Sequence, residues 1–337
     1  MMLWLLSLMA FAGPIHPVRA GETIESIALE VGDLELAPAI RELNGLQAGQ
    51  QPVIGTLLEL PEQAGVGQQA FLLSRDGTVR VTDGAGGSLP SEQYDPVPLG
   101  GQVCTGERSF ATVRMATQCT SDGTQTDDIQ LQPDTCIVVE NLWSDADSRS
   151  TVVRVRTGSI SIAENRDAAG SVTIVTPSGV TTGEDGGYRV TVEDEAARTE
   201  ALTAPVAVQG AGVEVAVAAG QGARVRTGEA PSDPIDLLAP GQLIRPEDGQ
   251  ALQRADFGWT PVDGALGYRF EVGDGTTFTS VVFSEDLGTP EYVPVIMMLP
   301  WPSDGSLYWR VSSFDRFGFQ GIPSDARSMR MPTGTGR

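Results

Sequence analysis

The sequence predicts a mainly β, multidomain protein that begins with a small α+β unit of βααβ order. With 40 Gly, 22 Pro and 40% hydrophobic residues, the composition fits a chain of short strands and tight turns. Helical periodicity is confined to residues 15–61. From Ala70 onward the apolar residues recur with a period of two. A length of 337 residues suggests two or three domains.

Within residues 15–61 the expected order is strand, helix, helix, strand. His16-Pro17-Val18 opens as a strand, and Gly21-Glu22-Thr23 turns into a helix with Thr23 as its N-cap. Ile24, Ile27, Ala28 and Val31 follow at i, i+3, i+4 and i+7, which is one helical face. Gly32-Asp33 breaks that helix. Leu36, Ile40 and Leu43 repeat the stripe, with Pro38 confined to the first turn. Asn44-Gly45 stops the second helix, and residues 56–61 close as a strand.

This order resembles the lysin motif (LysM), a βααβ module that binds glycans containing N-acetylglucosamine (GlcNAc). The residues that carry the resemblance are Gly21-Glu22-Thr23-Ile24, Ile27-Ala28, Leu43-Asn44, and Gly55 with Leu58, Leu60 and Pro61. Glu22 stands where that family usually has Asp, and Gln51-Pro52-Val53-Ile54-Gly55 replaces its usual Ile-x-x-Gly-Gln. The resemblance implies a sugar lying between loop 20–24 and loop 44–55. Its contacts would be Gly21, Glu22, Thr23, Ile24, Asn44, Gly45, Leu46 and Gly55. A shallow groove of backbone donors and acceptors suits a neutral acetamido sugar and needs no catalytic group.

The formal charge is −22, and all 22 basic residues are Arg. Such an acidic chain repels phosphate backbones, which argues against a nucleic-acid partner. The one histidine, His16, leaves no Ser-His-Asp or Cys-His arrangement and no multi-His metal site. No catalytic residue, metal or cofactor is expected. Residues 1–12 are apolar and end in Ala10-Phe11-Ala12, a secretory signal peptide with an A-x-A cleavage signal. Ala20-Gly21 is a competing cleavage site. The run is too short for a membrane span. A periplasmic or secreted protein without a transmembrane anchor after cleavage is expected.

Residues 62–69 read as a linker. In residues 70–228, Gly77–Val81, Gly158–Ile162 and Ala204–Val208 share one strand pattern, and Val103–Gly106, Val155–Gly158 and Val225–Gly228 share another. Recurrence of this kind argues for stacked or wrapped sheets. These segments, the turn Leu99-Gly100-Gly101-Gln102-Val103-Cys104-Thr105-Gly106 and the later Thr176-Pro177-Ser178-Gly179-Val180 resemble the FecR-like periplasmic domain. The resemblance implies a β scaffold; the signalling role of that family needs a membrane helix and a cytoplasmic segment and is not carried over. Of three cysteines, Cys119 and Cys136 are expected to pair across the polar insertion 120–134, a closure worth about 3 kcal/mol, with Cys104 free and buried. The acid pairs Asp127-Asp128, Glu184-Asp185 and Glu193-Asp194-Glu195 read as solvated turns. Asp145-Ala146-Asp147 lacks the rest of a calcium loop.

Residues 229–244 read as a second linker. Residues 245–331 resemble a fibronectin type III-like β-sandwich, through Phe257-Gly258-Trp259, Gly267–Val272, Leu307–Val311 and a last strand near 327–331. Trp259, Tyr268 and Tyr308 are expected in its core, and Phe317 and Phe319 flank a turn as a contact pair. Residues 332–337 read as a disordered tail. The expected function is that of a non-enzymatic cell-envelope protein. It would dock on peptidoglycan or another GlcNAc-containing glycan and present its β domains to an envelope protein partner. Two alternatives stand beside it: a glycan-active enzyme using carboxylates of the β domains, and a structural or adhesive protein whose module no longer binds sugar.

Overall fold

The computed structural model describes residues 15–18, 22–30, 36–53, 56–61, 69–116, 126–144, 149–163, 170–184, 186–252, 255–294 and 306–330. The signal peptide 1–12, Gly21, Gly55, Cys119, residues 145–147 and the tail 332–337 lie outside them. The chain is mainly β. It opens with β1 (Ile15–Pro17), α1 (Ile24–Glu30), α2 (Ala37–Leu43) and β2 (Leu57–Glu59). β1 and β2 pair antiparallel as a separate sheet, with Ile15 opposite Glu59 and Pro17 opposite Leu57. The α1 stripe Ile24, Ile27 and Ala28 is buried with Ile40, Leu58 and Leu60. Thr23 and Ser26 cap α1 reciprocally: each hydroxyl accepts the other's backbone N–H, at 3.1 and 2.9 Å. Leu43, expected on the second stripe, is instead 43% exposed, because it is the last residue of α2 where the chain turns off at Asn44.

The middle unit is one curled sheet of seventeen strands. In chain order these are β3 (Gln69–Asp76), β4 (Val79–Thr82), β5 (Ser88–Leu89), β6 (Pro96–Val97), β7 (Gln102–Thr105), β8 (Phe110–Ala116), β9 (Thr126–Leu131), β10 (Cys136–Ser144) and β11 (Arg149–Ile162). They continue as β12 (Ser171–Val175), β13 (Val180–Gly183), β14 (Tyr188–Glu193), β15 (Ala196–Ala201), β16 (Val206–Gly210), β17 (Val213–Val217), β18 (Gln221–Arg226) and β19 (Ile235–Asp236). The strands form two layers that share β11. The first layer runs β5–β4–β7–β10–β11–β12–β13–β16–β17. The second runs β6–β3–β8–β9–β11–β14–β15–β18–β19. Alternate residues of both layers meet in one core, Val103, Ile137 and Val153 from the first and Val113, Ile160 and Val190 from the second.

β11 changes layers at Gly158. The first part of the strand pairs with β10, and Gly158–Ile162 pairs with β14. Gly158 has φ +88°, and a Cβ there would lie 2.5 Å from Thr135 Cα, so the corner requires glycine.

The disulfide corrects the expected pairing of Cys119 with Cys136. Cys136 is bonded to Cys104, so Cys104 is not a free thiol. The two stand directly opposite in the antiparallel β7–β10 pair, with Cα atoms 4.2 Å apart. The expectation failed because residues 120–134 are not simply an insertion: β9 lies within them and buries Ile129 and Leu131.

The C-terminal unit comprises β20 (Leu243–Arg245), β21 (Gln250–Ala251), β22 (Phe257–Trp259), β23 (Gly267–Gly273), β24 (Val281–Leu287), β25 (Glu291–Tyr292), β26 (Ser306–Phe314) and β27 (Arg327–Arg330). β20–β22–β25 form a three-stranded sheet and β21–β27–β26–β23–β24 a five-stranded one. Phe257 and Trp259 of the smaller sheet share a core with Phe270, Trp309 and Val311 of the larger. Phe257 meets Phe270 and Trp309 edge-on, with centroids 4.8 and 5.0 Å apart. Residues 229–244 are bound to both units. β19 pairs with β18, Leu237 is buried, and the Leu238 carbonyl accepts from Ile322 N–H at 3.0 Å. Among the described residues no helix is long and apolar enough to cross a membrane.

Candidate functional site

In the N-terminal unit, the antiparallel register brings the exit of β1 beside the entry of β2. Val18 N–H donates to Thr56 O at 2.9 Å, so the segments leading into the two expected sugar loops emerge side by side. The side chains named for the glycan are mostly committed to the protein itself. Ile24 is fully buried, Leu46 packs against the small core, and Thr23 caps α1. Asn44 Nδ2 donates to Ile40 O and Glu59 O, both at 2.7 Å, and its Oδ1 accepts from Glu59 N–H at 2.8 Å. Gly45 turns the chain at φ +63° and is exposed. Glu22 is half-buried. What this surface offers a ligand is therefore chiefly loop backbone.

A second site is built on the outer face of the second layer. Along β14, Tyr188, Val190 and Val192 enter the core, so Arg189, Thr191 and Glu193 point away from it. Arg198 and Glu200 of β15, Gln130 of β9 and Gln132 just past its end take the same outward positions. Such alternation ordinarily leaves the polar face in water. Here the C-terminal unit covers it. Thr112 Oγ1 donates to Thr279 O (2.7 Å), Gln130 Nε2 to Phe278 O (2.9 Å), Arg189 Nη1 to Gln320 O (3.1 Å), and Arg224 to Phe317 O. Phe110, Phe278 and Val281 form an apolar seal at one end. At the other, Phe319 presses on Gly222, where a Cβ would sit 2.8 Å from the ring. The Phe317–Phe319 pair is thus divided: Phe317 stays 44% exposed and Phe319 is buried in this contact.

Charged groups lie deep in the contact. Glu200 is 1% exposed, with Oε2 3.9 Å from Arg189 Nη1, an ion pair too long for a hydrogen bond. Glu271, 3% exposed, accepts from Arg310 Nε at 2.8 Å and from Gln132 Nε2 at 3.5 Å. Burial pushes the Glu200 carboxyl above its ordinary value, against the pull of Arg189 and Arg198. Burial works the same way on Glu271, but Arg310, Arg189 and Arg269 outweigh it and hold that carboxyl below its ordinary value.

A cleft of about 390 Å³ opens beside these groups. Gln132, Ser159, Glu200 and Gln320 are its buried floor, Phe314 and Arg269 a wall, and Arg108, Glu193 and Asp286 its exposed rim. Among the described residues, three buried polar atoms of its lining side chains, Gln132 Oε1, Glu200 Oε2 and Arg198 Nε, have no hydrogen-bond partner.

Asp127 and Asp128, expected in a solvated turn, belong to β9. Asp127 is 2% exposed and accepts from Thr151 Oγ1 at 2.9 Å; Asp128 holds Arg114 through two 2.6 Å hydrogen bonds. Among the described residues no three His, Cys, Asp or Glu side chains are grouped to hold a metal ion.

The covered polar face was missed in the sequence, although it leaves a signal there. Tyr188-Arg189-Val190-Thr191-Val192 and Tyr268-Arg269-Phe270-Glu271-Val272 are parallel strings in two units, each placing Arg on the face away from its own core. Charge at alternate positions of a strand ordinarily faces water, and nothing in one string names the other as its cover.

No protein-family model matches this chain, and no curated protein matches it. Among solved structures, a protein from Parabacteroides distasonis described as a "putative anti-sigma factor" is similar over 40% of this chain and 59% of its own, at 14% identity and a TM-score of 0.31. That match spans less than two thirds of the other structure's length. A β-1,2-glucanase from the same organism is similar over 80% of this chain and 37% of its own, at 14% identity and a TM-score of 0.22.

Proposed function

We propose that this chain is a non-enzymatic, exported cell-envelope protein that holds peptidoglycan or another GlcNAc-containing glycan through residues 15–61, a lysin-motif unit. The FecR-like middle unit and the fibronectin type III-like C-terminal unit serve as scaffold and as the surface for an envelope partner. The observation that carries the reading is the β1-α1-α2-β2 order closed by the β1–β2 pair, with both sugar loops leaving the same end of that sheet. Committed side chains at Thr23 and Asn44 support recognition through loop backbone, which suits an uncharged acetamido sugar. The Cys104–Cys136 disulfide supports export to an oxidising compartment.

The test uses the full chain. It should cosediment with purified peptidoglycan sacculi and be released by soluble chitotetraose. Ala48→Trp, which places bulk on an exposed position of the second loop, should reduce cosedimentation at least about tenfold. No cosedimentation, or retention unaffected by Ala48→Trp and chitotetraose, would sink the reading.

A further inference from the structure

We propose that the cleft between the outer face of the second layer and the C-terminal unit is a binding site for a neutral, hydroxyl-rich ligand, a short saccharide. The inference goes beyond the glycan reading above, since the cleft shares no residue with 15–61. At about 390 Å³ its volume falls within the usual range of small-molecule sites.

Unfilled hydrogen-bonding capacity is the first argument. Buried side-chain polar atoms nearly always find a partner, because leaving one bare forfeits the hydrogen bonds it made to water. Gln132 and Glu200 line this one cleft and are both more than nine-tenths buried. Among the described residues Gln132 Oε1 has no hydrogen-bond partner, while Glu200 Oε2 has only the long ion pair with Arg189 at 3.9 Å. Their positions are fixed by their other atoms. Gln132 Nε2 is held by Glu271, and Glu200 Oε1 accepts from Gln320 N–H at 3.3 Å. Gln132 Oε1 is thus a preset acceptor that calls for a donor such as a hydroxyl, and Arg198 Nε calls for an acceptor.

Charge decides the class of ligand. Arg198 is paired with Glu193 at 2.8 Å, and Arg269 with Asp286 at 2.8 Å. At these two pairs an anion would have to displace the carboxylate, and a cation the guanidinium. An uncharged ligand with many hydroxyls meets no such competition. It can give protons to Gln132 and to the rim carboxylates and accept them from guanidinium N–H groups. Phe314, with the Arg269 guanidinium 5.2 Å from its ring centroid, supplies one flat wall beside these polar groups.

The experiment is calorimetric titration of the full chain with chitobiose, cellobiose and maltose, with glucuronate and glucosamine as charged controls. Saturable binding of a neutral disaccharide is expected. Gln132→Ala on the floor and Asp286→Trp on the exposed rim should each weaken it about tenfold or more, the loss of roughly one good hydrogen bond. Ala48→Trp in the N-terminal loop should leave it unchanged. Thermal midpoints of each variant check that it folds, and Asp286→Trp keeps the test open if Gln132→Ala does not. The proposal is overturned if no neutral disaccharide binds, or if a charged control binds more tightly. It is also overturned if binding survives both cleft variants and disappears with Ala48→Trp. That last result would leave the N-terminal glycan reading standing alone. Failure of sacculus cosedimentation with intact disaccharide binding would do the reverse.

Discussion

The second layer of the middle unit has two buried faces built on opposite principles. Its inner face is mainly aliphatic: Val113, Ile129, Ile160, Val190 and Val225 lie in one core, and its few polar groups, among them Asp127 and Tyr188, are satisfied within the two layers. Its outer face, on the same strands, buries Thr112, Gln130, Gln132, Arg189 and Glu200 under the C-terminal unit. The inner face is held by transfer of apolar surface out of water, which is non-directional. The outer face is held by directional hydrogen bonds and ion pairs whose partners come from a distant part of the chain. A single truncation inside leaves a cavity; one outside strands a charge. The two faces should therefore fail differently.

The largest expected effect tests the stranded charge. Glu271→Gln leaves Arg310 and the buried Arg189 short of their counter-charge and should cost about 3–5 kcal/mol. The loss should appear in the denaturant transition that separates the C-terminal unit from the sheet; an unchanged midpoint would mean that the polar face is not what holds the two together. Removing the cross-strand bond by Cys104→Ala with Cys136→Ala should cost about 3–4 kcal/mol from the loop it closes, and should weaken the middle unit rather than the contact. Ile160→Ala in the aliphatic face should cost about 2–5 kcal/mol through cavity formation, and it should show little dependence on pH.

The outer face should respond to pH in two opposed ways. Glu200 has a folded value raised above its unfolded 4.5, so its folded form keeps a proton that the unfolded chain has lost. Stability from this group is fullest below 4.5 and declines as pH rises through the raised value. Glu271, held below 4.5, contributes above that pH and loses its contribution as pH falls through the lowered value. In a series of thermal midpoints, Glu200→Gln should flatten the decline on the alkaline side, and Glu271→Gln the loss on the acid side. Identical profiles in the two variants would remove the distinction between these carboxyls. The smallest effect is expected at Asp286→Asn, whose partner Arg269 is lost from a half-exposed pair. A change of under about 1 kcal/mol in the same transition is expected.

Much of the architecture was legible from local pattern. The stripe Ile24, Ile27 and Ala28 is buried as its spacing implies, and the strings around Val79, Val103, Ile160, Val206 and Val225 all became strands with those residues in the core. Trp259 and Tyr268 lie in a core as expected, whereas Tyr308, expected with them, is half-buried against the seal of Phe110, Phe278 and Val281. What escaped was set by long-range pairing. Cys104 meets Cys136 because β7 and β10 are neighbours, a relation that no spacing along the chain encodes. Asp127 is buried because Thr151, from another strand, satisfies it. Arg189 and Glu200 look solvated until the C-terminal unit is laid over them. Period-two alternation says which side of a strand is greasy; it does not say whether the other side is wet.

One consequence of the Gly158 corner concerns how the middle unit comes apart. A single continuous strand belongs to both layers, so neither can peel away while the other stays closed. Amides of Ile137 in one layer and Val190 in the other should therefore exchange with deuterium through a shared opening event of similar free energy. The corner makes one cooperative body out of what the strand order alone would allow to be two.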